Sequence, residues 1–297
     1  MANRTASRLN QRDAPAGFAQ SVSVDAAGLT HTGLVRAVNE DHFLIGRFGR
    51  YFETIRTSLS PTDVPARTDD ASYSLIVADG MGGHAAGEVA SRTAIREIMR
   101  LAFELPDWIV RIDETTREAA AERTQRRIEK LNEIVFDGSQ RDPDLRGMGC
   151  TLTAARNLGR DLQVAHVGDS RAYLLRAGHL LRLTRDHTYV QMLVDQGLMS
   201  AEEAATSHSR HVLINALGGS DEGVHVDVER VRLAKGDRVL LCSDGLTDSV
   251  NDELIRTVLS EAATAAAACE LLVARALERG GEDNITVVVA HYTWDDD

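Results

Sequence analysis

Short apolar runs, broken by glycine and aspartate, punctuate the chain. SVSVDAAGL (21–29) alternates apolar and polar positions, the period of a half-buried strand. HFLIG (42–46) is a shorter run, and SYSLIVAD (72–79) is continuous. Residues 47–71 between them are mostly polar, with Pro61, Pro65 and several Asp and Thr, and are expected to form a surface insertion or long loop. From Glu88 to about Leu105 the pattern turns helical, with Val89, Ile95, Ile98, Met99 and Phe103 spaced for one face. Pro106 ends that helix or starts the next. Residues 107–136 carry charges around Val110, Ile128, Leu131 and Ile134 and predict a second long helix with a solvated face.

The architecture turns on residues 150–184, CTLTAARNLGRDLQVAHVGDSRAYLLRAGHLLRLT. They hold four β-rich runs separated by NLGRD, GDS and AGH, each too short for a helical crossover. Strands joined by such tight turns are expected to be antiparallel. HTYVQMLVDQG (187–197) and SAEEAAT (200–206) read as short helices, the second with Ser200 as N-cap. A strand RVLLCSD (238–244), a helical stretch at about 252–278 and a last strand NITVVVAHY (284–292) follow. The expected fold class is α+β, with packed antiparallel sheets and helices outside. Residues 1–20 lack the apolar centre of a signal peptide and read as a mobile tail before a single domain, 21–297.

The composition is that of a globular chain: 297 residues, 43% hydrophobic and 26% charged. A formal net charge of −12 argues against a nucleic-acid or anionic-membrane partner. The three cysteines, Cys150, Cys242 and Cys269, are odd in number and form no C-x-x-C, so neither a disulfide framework nor a zinc site is expected. No window offers about 18 uninterrupted apolar residues; the Ala-rich stretch 262–277 contains Glu270 and Arg275. The expected location is the reducing cytoplasm.

The candidate chemistry begins at IVADGMGGHA (76–85). Gly80, Gly82 and Ala85 match the permissive dinucleotide-binding fingerprint, whose glycines let a backbone approach a pyrophosphate. That reading requires a βαβ unit and an acidic residue about 20 positions on. Here that region, IMRLAFEL (98–105), still reads as helix, and nucleotide binding is the minor alternative. In the other reading Asp79 holds a metal ion. Three more strand-like runs carry an aspartate at or beside one end: Asp41 before HFLIG, Asp244 after RVLLCS, and Asp283 before NITVVV. Their hard oxygen donors suit Mg²⁺ or Mn²⁺. One strand-end aspartate is ordinarily a turn or cap residue. Four make a shared site more attractive, although spacing alone does not bring them together.

Taken in order, RAVNED (36–41), VADGMGGHAAGE (77–88), GCT (149–151), HVGDSRAY (166–173), LTRDHT (183–188), LINALGG (213–219), LLCSDGLTD (240–248) and EDNITVVV (282–289) resemble the metal-dependent PPM/PP2C family of serine/threonine protein phosphatases, in its bacterial form. The resemblance implies a four-layer α-β-β-α sandwich: two antiparallel sheets flanked by helices, with a two-metal centre at one end. It implies that Asp79 bridges two Mn²⁺ or Mg²⁺ ions, that the Gly80 carbonyl joins one of them, and that Asp244 and Asp283 complete the other's shell, with Asp41 in reach of the metals or their waters. Asp169 resembles the aspartate that helps hold a third, weaker ion. Arg36 resembles the arginine that grips the substrate phosphate, Glu40 and Asn284 resemble supporting groups, and residues 188–215 would form a flap.

The function so implied is hydrolysis of phosphoserine or phosphothreonine by direct attack of a metal-bridging hydroxide, without a phosphoenzyme. Arg36 with Asp41, Asp79, Asp244 and Asp283 would form the catalytic set. The implied partners are phosphorylated proteins, with a Ser/Thr kinase and its substrates among them. A carboxylate cluster repels a phosphate ester until cations reverse its sign. Met81 follows the Asp-Gly, so no neighbouring histidine is assigned as the general acid, and His84 reads equally well as a packing residue. His42, His166 and His187 read as structural histidines, and Arg171 as a structural arginine. A non-catalytic binding module on the same fold is the further alternative, and it would be favoured by a missing metal aspartate.

Overall fold

The computed structural model describes residues 22–60, 67–82, 86–104, 114–219 and 223–294. The expected tail at 1–20, Val110 and His84 lie outside the described residues. One sheet has the order β1 (Ser23–His31), β11 (Ile285–Thr293), β10 (Arg238–Cys242), β7 (Arg171–Arg176), β8 (His179–Arg182). The other runs β2 (Asp41–Glu53), β3 (Arg67–Met81), β5 (Leu152–Leu158), β6 (Asp161–Val167), β9 (Asp227–Arg232), with the short β4 (Gly149–Cys150) paired to β3. All neighbouring strands are antiparallel. Helices α1 (Ala86–Glu104) and α2 (Glu114–Arg141) cover the second sheet, the short α3 (Tyr189–Asp195) and α4 (Ala201–Thr206) lie between β8 and β9, and α6 (Asp252–Glu261) and α7 (Ala265–Glu278) cover the first sheet.

Alternation along the strands builds this sandwich. Leu75 and Val77 point between the sheets, where they meet Leu174, Leu241, Val288 and Tyr292. Ile76 and Ala78, one residue out of phase, point outward to α1 and α2. Leu240, Val287 and Val289 likewise face α6 and α7. Strands buried on both faces need apolar residues at every position, so SYSLIVAD and NITVVVAHY read as unbroken runs. No helix among the described residues is long and apolar enough to cross a membrane.

Several expectations are corrected. The polar stretch 47–71 is not all loop. Residues 47–53 pair with 67–73, from Arg47↔Tyr73 to Glu53↔Arg67, as the far end of the β2–β3 hairpin. β2 is an edge strand, and its backbone pairing with β3 continues past the apolar run HFLIG. The buried face of α1 is made of small residues, Ala86, Ala90, Ser91 and Ala94, with Ile95 and Leu101, while Phe103 is exposed. Small side chains let the helix approach the sheet closely. The stretch 252–278 is two helices, α6 and α7, divided at 262–264, with Thr264 capping α7.

The GDS segment is not a hairpin turn. NLGRD and AGH do close hairpins, β5–β6 and β7–β8. But β6 and β7 lie in different sheets, and Gly168-Asp169-Ser170 is the corner where the chain crosses between them. Gly168 has φ +104°, and a Cβ there would lie 2.6 Å from the Thr151 side chain, so only glycine fits the bend.

Of two leucine truncations, Leu241→Ala between the sheets is expected to lower the unfolding free energy by about 2–5 kcal/mol. Leu181→Ala on the exposed edge strand should stay within about 0.5 kcal/mol. Equilibrium urea unfolding measures both, and equal losses would contradict the central place of the inter-sheet layer.

Candidate metal centre

Antiparallel register brings the aspartates to one end of the sandwich. Asp41, the first residue of β2, stands directly across from Asp79 near the end of β3. On the other sheet β10 ends at Cys242, and Ser243-Asp244 opens the one-turn helix α5 (Asp244–Thr247), while Asp283 lies just ahead of β11. Asp169 arrives on the corner between the sheets. Asp79, Gly80, Asp169, Asp244 and Asp283 line one open cleft of about 1020 Å³, together with Arg36, Glu40 and Asn284. Asp41 is not on its wall. It is buried beneath, with 3% of its surface exposed.

Hydrogen bonds to neighbouring residues hold these groups. Thr151 spans Asp79: its hydroxyl accepts from the Asp79 amide at 3.1 Å, and its own amide donates to the Asp79 carbonyl at 2.8 Å. Ser243 joins the two sheets, donating its hydroxyl to Asp41 Oδ2 at 2.7 Å and accepting from the Thr286 amide at 3.0 Å. The Asn284 side chain accepts from the Glu40 amide at 2.7 Å and donates to the carbonyls of Thr32 and Val38 at 2.8 and 3.0 Å. It thereby fixes the loop that presents Arg36. The Arg36 guanidinium donates to Asp283 Oδ2 at 2.6 Å, and Asp283 Oδ1 accepts the Asn284 amide at 2.8 Å. Gly80 is required by proximity: a Cβ there would lie 2.1 Å from the Gly87 carbonyl oxygen in the first turn of α1. The glycines therefore serve a close turn, and the absence of any parallel strand pair among the described residues removes the βαβ unit that a dinucleotide site needs.

Electrostatically the cleft is unbalanced. Among the described residues, Glu40, Asp79, Asp169, Asp244, Asp248, Glu282 and Asp283 face it with only Arg36, Arg210 and Arg279 as permanent cations. Burial, then the charges of Asp244 and Asp283, push the Asp41 carboxyl up to about 7. Burial and the neighbouring carboxylates also hold Asp79 and Asp169 well above the usual carboxylate range. Asp41 Oδ1 and Glu40 Oε1 are buried without a hydrogen-bond partner. Crowded carboxylates with an orphaned oxygen fit a divalent cation bound through oxygen.

Sequence reasoning missed His211 and Asp248. The His211 ring stands 3.5 Å from Asp244 and 3.5 Å from Asp248, and both residues line the cleft. Asp248 was legible, because it follows Asp244 by one helical turn. His211 was not, because it reaches the cleft from the long segment between β8 and β9. His42, His166 and His187 do not line the cleft. Arg171 forms a fork on Asp186 through Nε and Nη2, at 3.2 and 2.8 Å, in keeping with a structural role.

Because the folded-state pKa of Asp41 lies above its unfolded value, the folded form binds the extra proton. Its stabilising contribution is full below about pH 4 and is lost as pH rises through about 7. In excess chelator, Asp41→Asn should therefore gain stability relative to wild type as pH rises from 5 to 8, by on the order of 2 kcal/mol. His166, whose pKa burial lowers to about 4, gives the opposite slope below pH 6.5 and cancels in that difference. Urea unfolding of both proteins across this range measures it, and a pH-independent difference would contradict the assigned strain.

Comparisons with known proteins agree with this arrangement. The sequence profile of the protein phosphatase 2C family matches residues 55–279. The serine/threonine protein phosphatase PstP of Mycobacterium tuberculosis is 41% identical over 233 residues, which are 76% of this chain and 42% of that protein. This chain thus spans less than half the length of that relative. The serine/threonine phosphatase stp of Listeria monocytogenes is 38% identical over 219 residues, 72% of this chain and 82% of that one. Among solved structures, Mycobacterium tuberculosis PstP/Ppp superposes with a TM-score of 0.72 at 36% identity, over 90% of this chain and 98% of the other. The catalytic domain of PstP in complex with two manganese ions gives a TM-score of 0.71 at 36% identity, over 92% and 99%. With its carboxylates converging at one end of a two-sheet sandwich and its sequence matched over most of its length, the chain belongs to the protein phosphatase 2C family.

Proposed function

We propose that this protein is a metal-dependent phosphatase of phosphoserine and phosphothreonine in proteins. The observation that carries the reading is the convergence of Asp79, Asp169, Asp244 and Asp283 on one open cleft beside Arg36, with Asp41 beneath. The manganese complex of the related PstP domain supports it. Asp79, the Gly80 carbonyl, Asp244, Asp283 and Asp41 would hold two Mn²⁺ or Mg²⁺ ions, and Asp169 would help hold a third, weaker one. Bound there, such cations supply Lewis acidity and a water activated for attack on phosphorus.

The remaining roles fall to the chain's own groups. Arg36 sits at the rim with more than half of its side chain exposed, and its planar fork can hold two phosphate oxygens. Asn284 sets where that fork stands by fixing the loop on both sides of it. The openness of the cleft suits a phosphorylated side chain presented on a protein segment. The cysteines are poor nucleophile candidates, because all three are buried and burial pushes each thiol up to about 12. Phosphorylated proteins are the proposed substrates, a Ser/Thr kinase and its targets among them.

Hydrolysis of p-nitrophenyl phosphate and of a phosphothreonine peptide should require Mn²⁺ or Mg²⁺ and vanish in EDTA. Asp244→Ala should lose roughly 10³-fold in kcat/KM while remaining folded. Arg36→Lys should lose roughly 10- to 100-fold, the worth of one charge-assisted hydrogen bond. A folded wild-type protein that turns over neither substrate with either metal would overturn the reading in favour of a binding module.

A further inference from the structure

The residue that grips the Gly168–Asp169 corner is His187. Its amide donates to the Gly168 carbonyl at 2.7 Å, and its Nδ1 accepts from the Gly168 amide at 3.1 Å. Both polar atoms of the backbone unit just ahead of Asp169 are therefore bound by one residue. The same residue anchors the segment read as the flap, 188–215. The Ile214 amide donates to the His187 carbonyl at 2.9 Å, and Asn215 Nδ2 donates to His187 Nδ1 at 2.7 Å. The two ends of that segment and the corner carrying Asp169 thus meet on one residue, with Gly168 and Asn215 sharing its Nδ1.

The tautomer of that imidazole follows from its partners. The His225 amide donates to Asn215 Oδ1 at 3.1 Å, and the His225 carbonyl accepts from Asn215 Nδ2 at 2.8 Å. This pairing fixes which end of the Asn215 amide is the donor. Facing two N–H donors, His187 Nδ1 must be unprotonated, and the ring proton sits on Nε2, which donates to Asp227 Oδ2 at 3.1 Å. His225 Nε2 lies 2.9 Å from the other oxygen of Asp227. A side chain that merely filled space would not need Nδ1 as an acceptor.

We propose that His187 is a positioning residue: by accepting at Nδ1 it holds the Asp169 corner and both ends of the flap in one arrangement, and so sets the affinity of the divalent cation that Asp169 helps hold. The inference rests on the proposed role of Asp169 and adds a determinant that lies outside the cleft. The flap and the weaker cation are thereby linked through one ring.

Two substitutions separate this from general packing. In His187→Asn the side-chain oxygen can occupy the Nδ1 position and still accept from Gly168. In His187→Gln the amide reaches toward Asp227 and leaves Gly168 without its acceptor. Titration of the metal-stripped proteins with Mn²⁺, read by electron paramagnetic resonance, counts ions and affinities without turnover. We expect His187→Gln to weaken the loosest Mn²⁺ by about 10-fold and leave the tighter ions unchanged, with His187→Asn within about 3-fold of wild type. If His187→Gln fails to fold, Asn215→Asp is the substitute. Its carboxylate draws the ring proton to Nδ1, and the same weakening is expected. Equal effects of the Asn and Gln variants, or no effect of either, would overturn the inference. Asp169→Asn separates the two readings. Loss of the loosest ion there, with its retention in His187→Gln, sinks the His187 inference alone, whereas its retention in Asp169→Asn sinks the role of Asp169 and the inference with it.

Discussion

Mutual repulsion among Asp41, Asp79, Asp169, Asp244 and Asp283 is the force that the rest of this molecule has to resist. Burial raises the pKa values of Asp41, Asp79 and Asp169, and the neighbouring carboxylates add to the effect. A loop-built site would relax by moving apart. Here the groups are fixed to strand ends whose register is set by apolar side chains on both faces. A slip of one residue in β3 would turn Leu75 and Val77 out of the inter-sheet layer. The core therefore supplies the energy that keeps the carboxylates together.

Polar groups then set the fine geometry. Ser243 and Thr286 tie β10 and β11 to Asp41 across the sheets, Thr151 holds both backbone atoms of Asp79, and Asn284 holds the loop of Arg36. Each works mainly through backbone groups, which have fewer degrees of freedom than side chains. The carboxylates are thus left with oxygens directed at the cleft or, in Asp41 Oδ1, with no protein partner at all. Such a site is poised for cations because protein donors satisfy it only in part, at Asp283 and Asp41 Oδ2, and leave Asp41 Oδ1 and Glu40 Oε1 without a partner. His187 extends the same logic outward, to the corner of Asp169 and the flap.

Much of the fold was legible because burial on two faces leaves a strong signal. SYSLIVAD and NITVVVAHY read as strands, and the hairpins at NLGRD and AGH follow from loop length. β9, by contrast, is an edge strand with Glu229, Arg230 and Arg232 on it, and no apolar run marks it. The helix α1 was legible, with Ile95, Val89 and Ile98 on its packed face, but the alanines that make up much of that face were not, because periodicity of large residues does not detect them. The flanks of 47–71 misled because the β2–β3 pairing runs on past the apolar runs that mark the two strands.

The sequence by itself determined the aspartates, their places at strand ends, the glycine turns and, through the ordered motifs, the family. It did so because strand-end chemistry and turn residues are local. Which sheet each strand joins was decided only by tertiary structure. GDS has the length of a hairpin turn, yet the chain uses it to cross between sheets, where β7 pairs with β10 and not with β6. That crossing carries Asp169 to the cleft. His211 and the grip of His187 on Gly168 likewise join residues far apart in the chain. No spacing rule records such contacts, because they exist only once both sheets have packed.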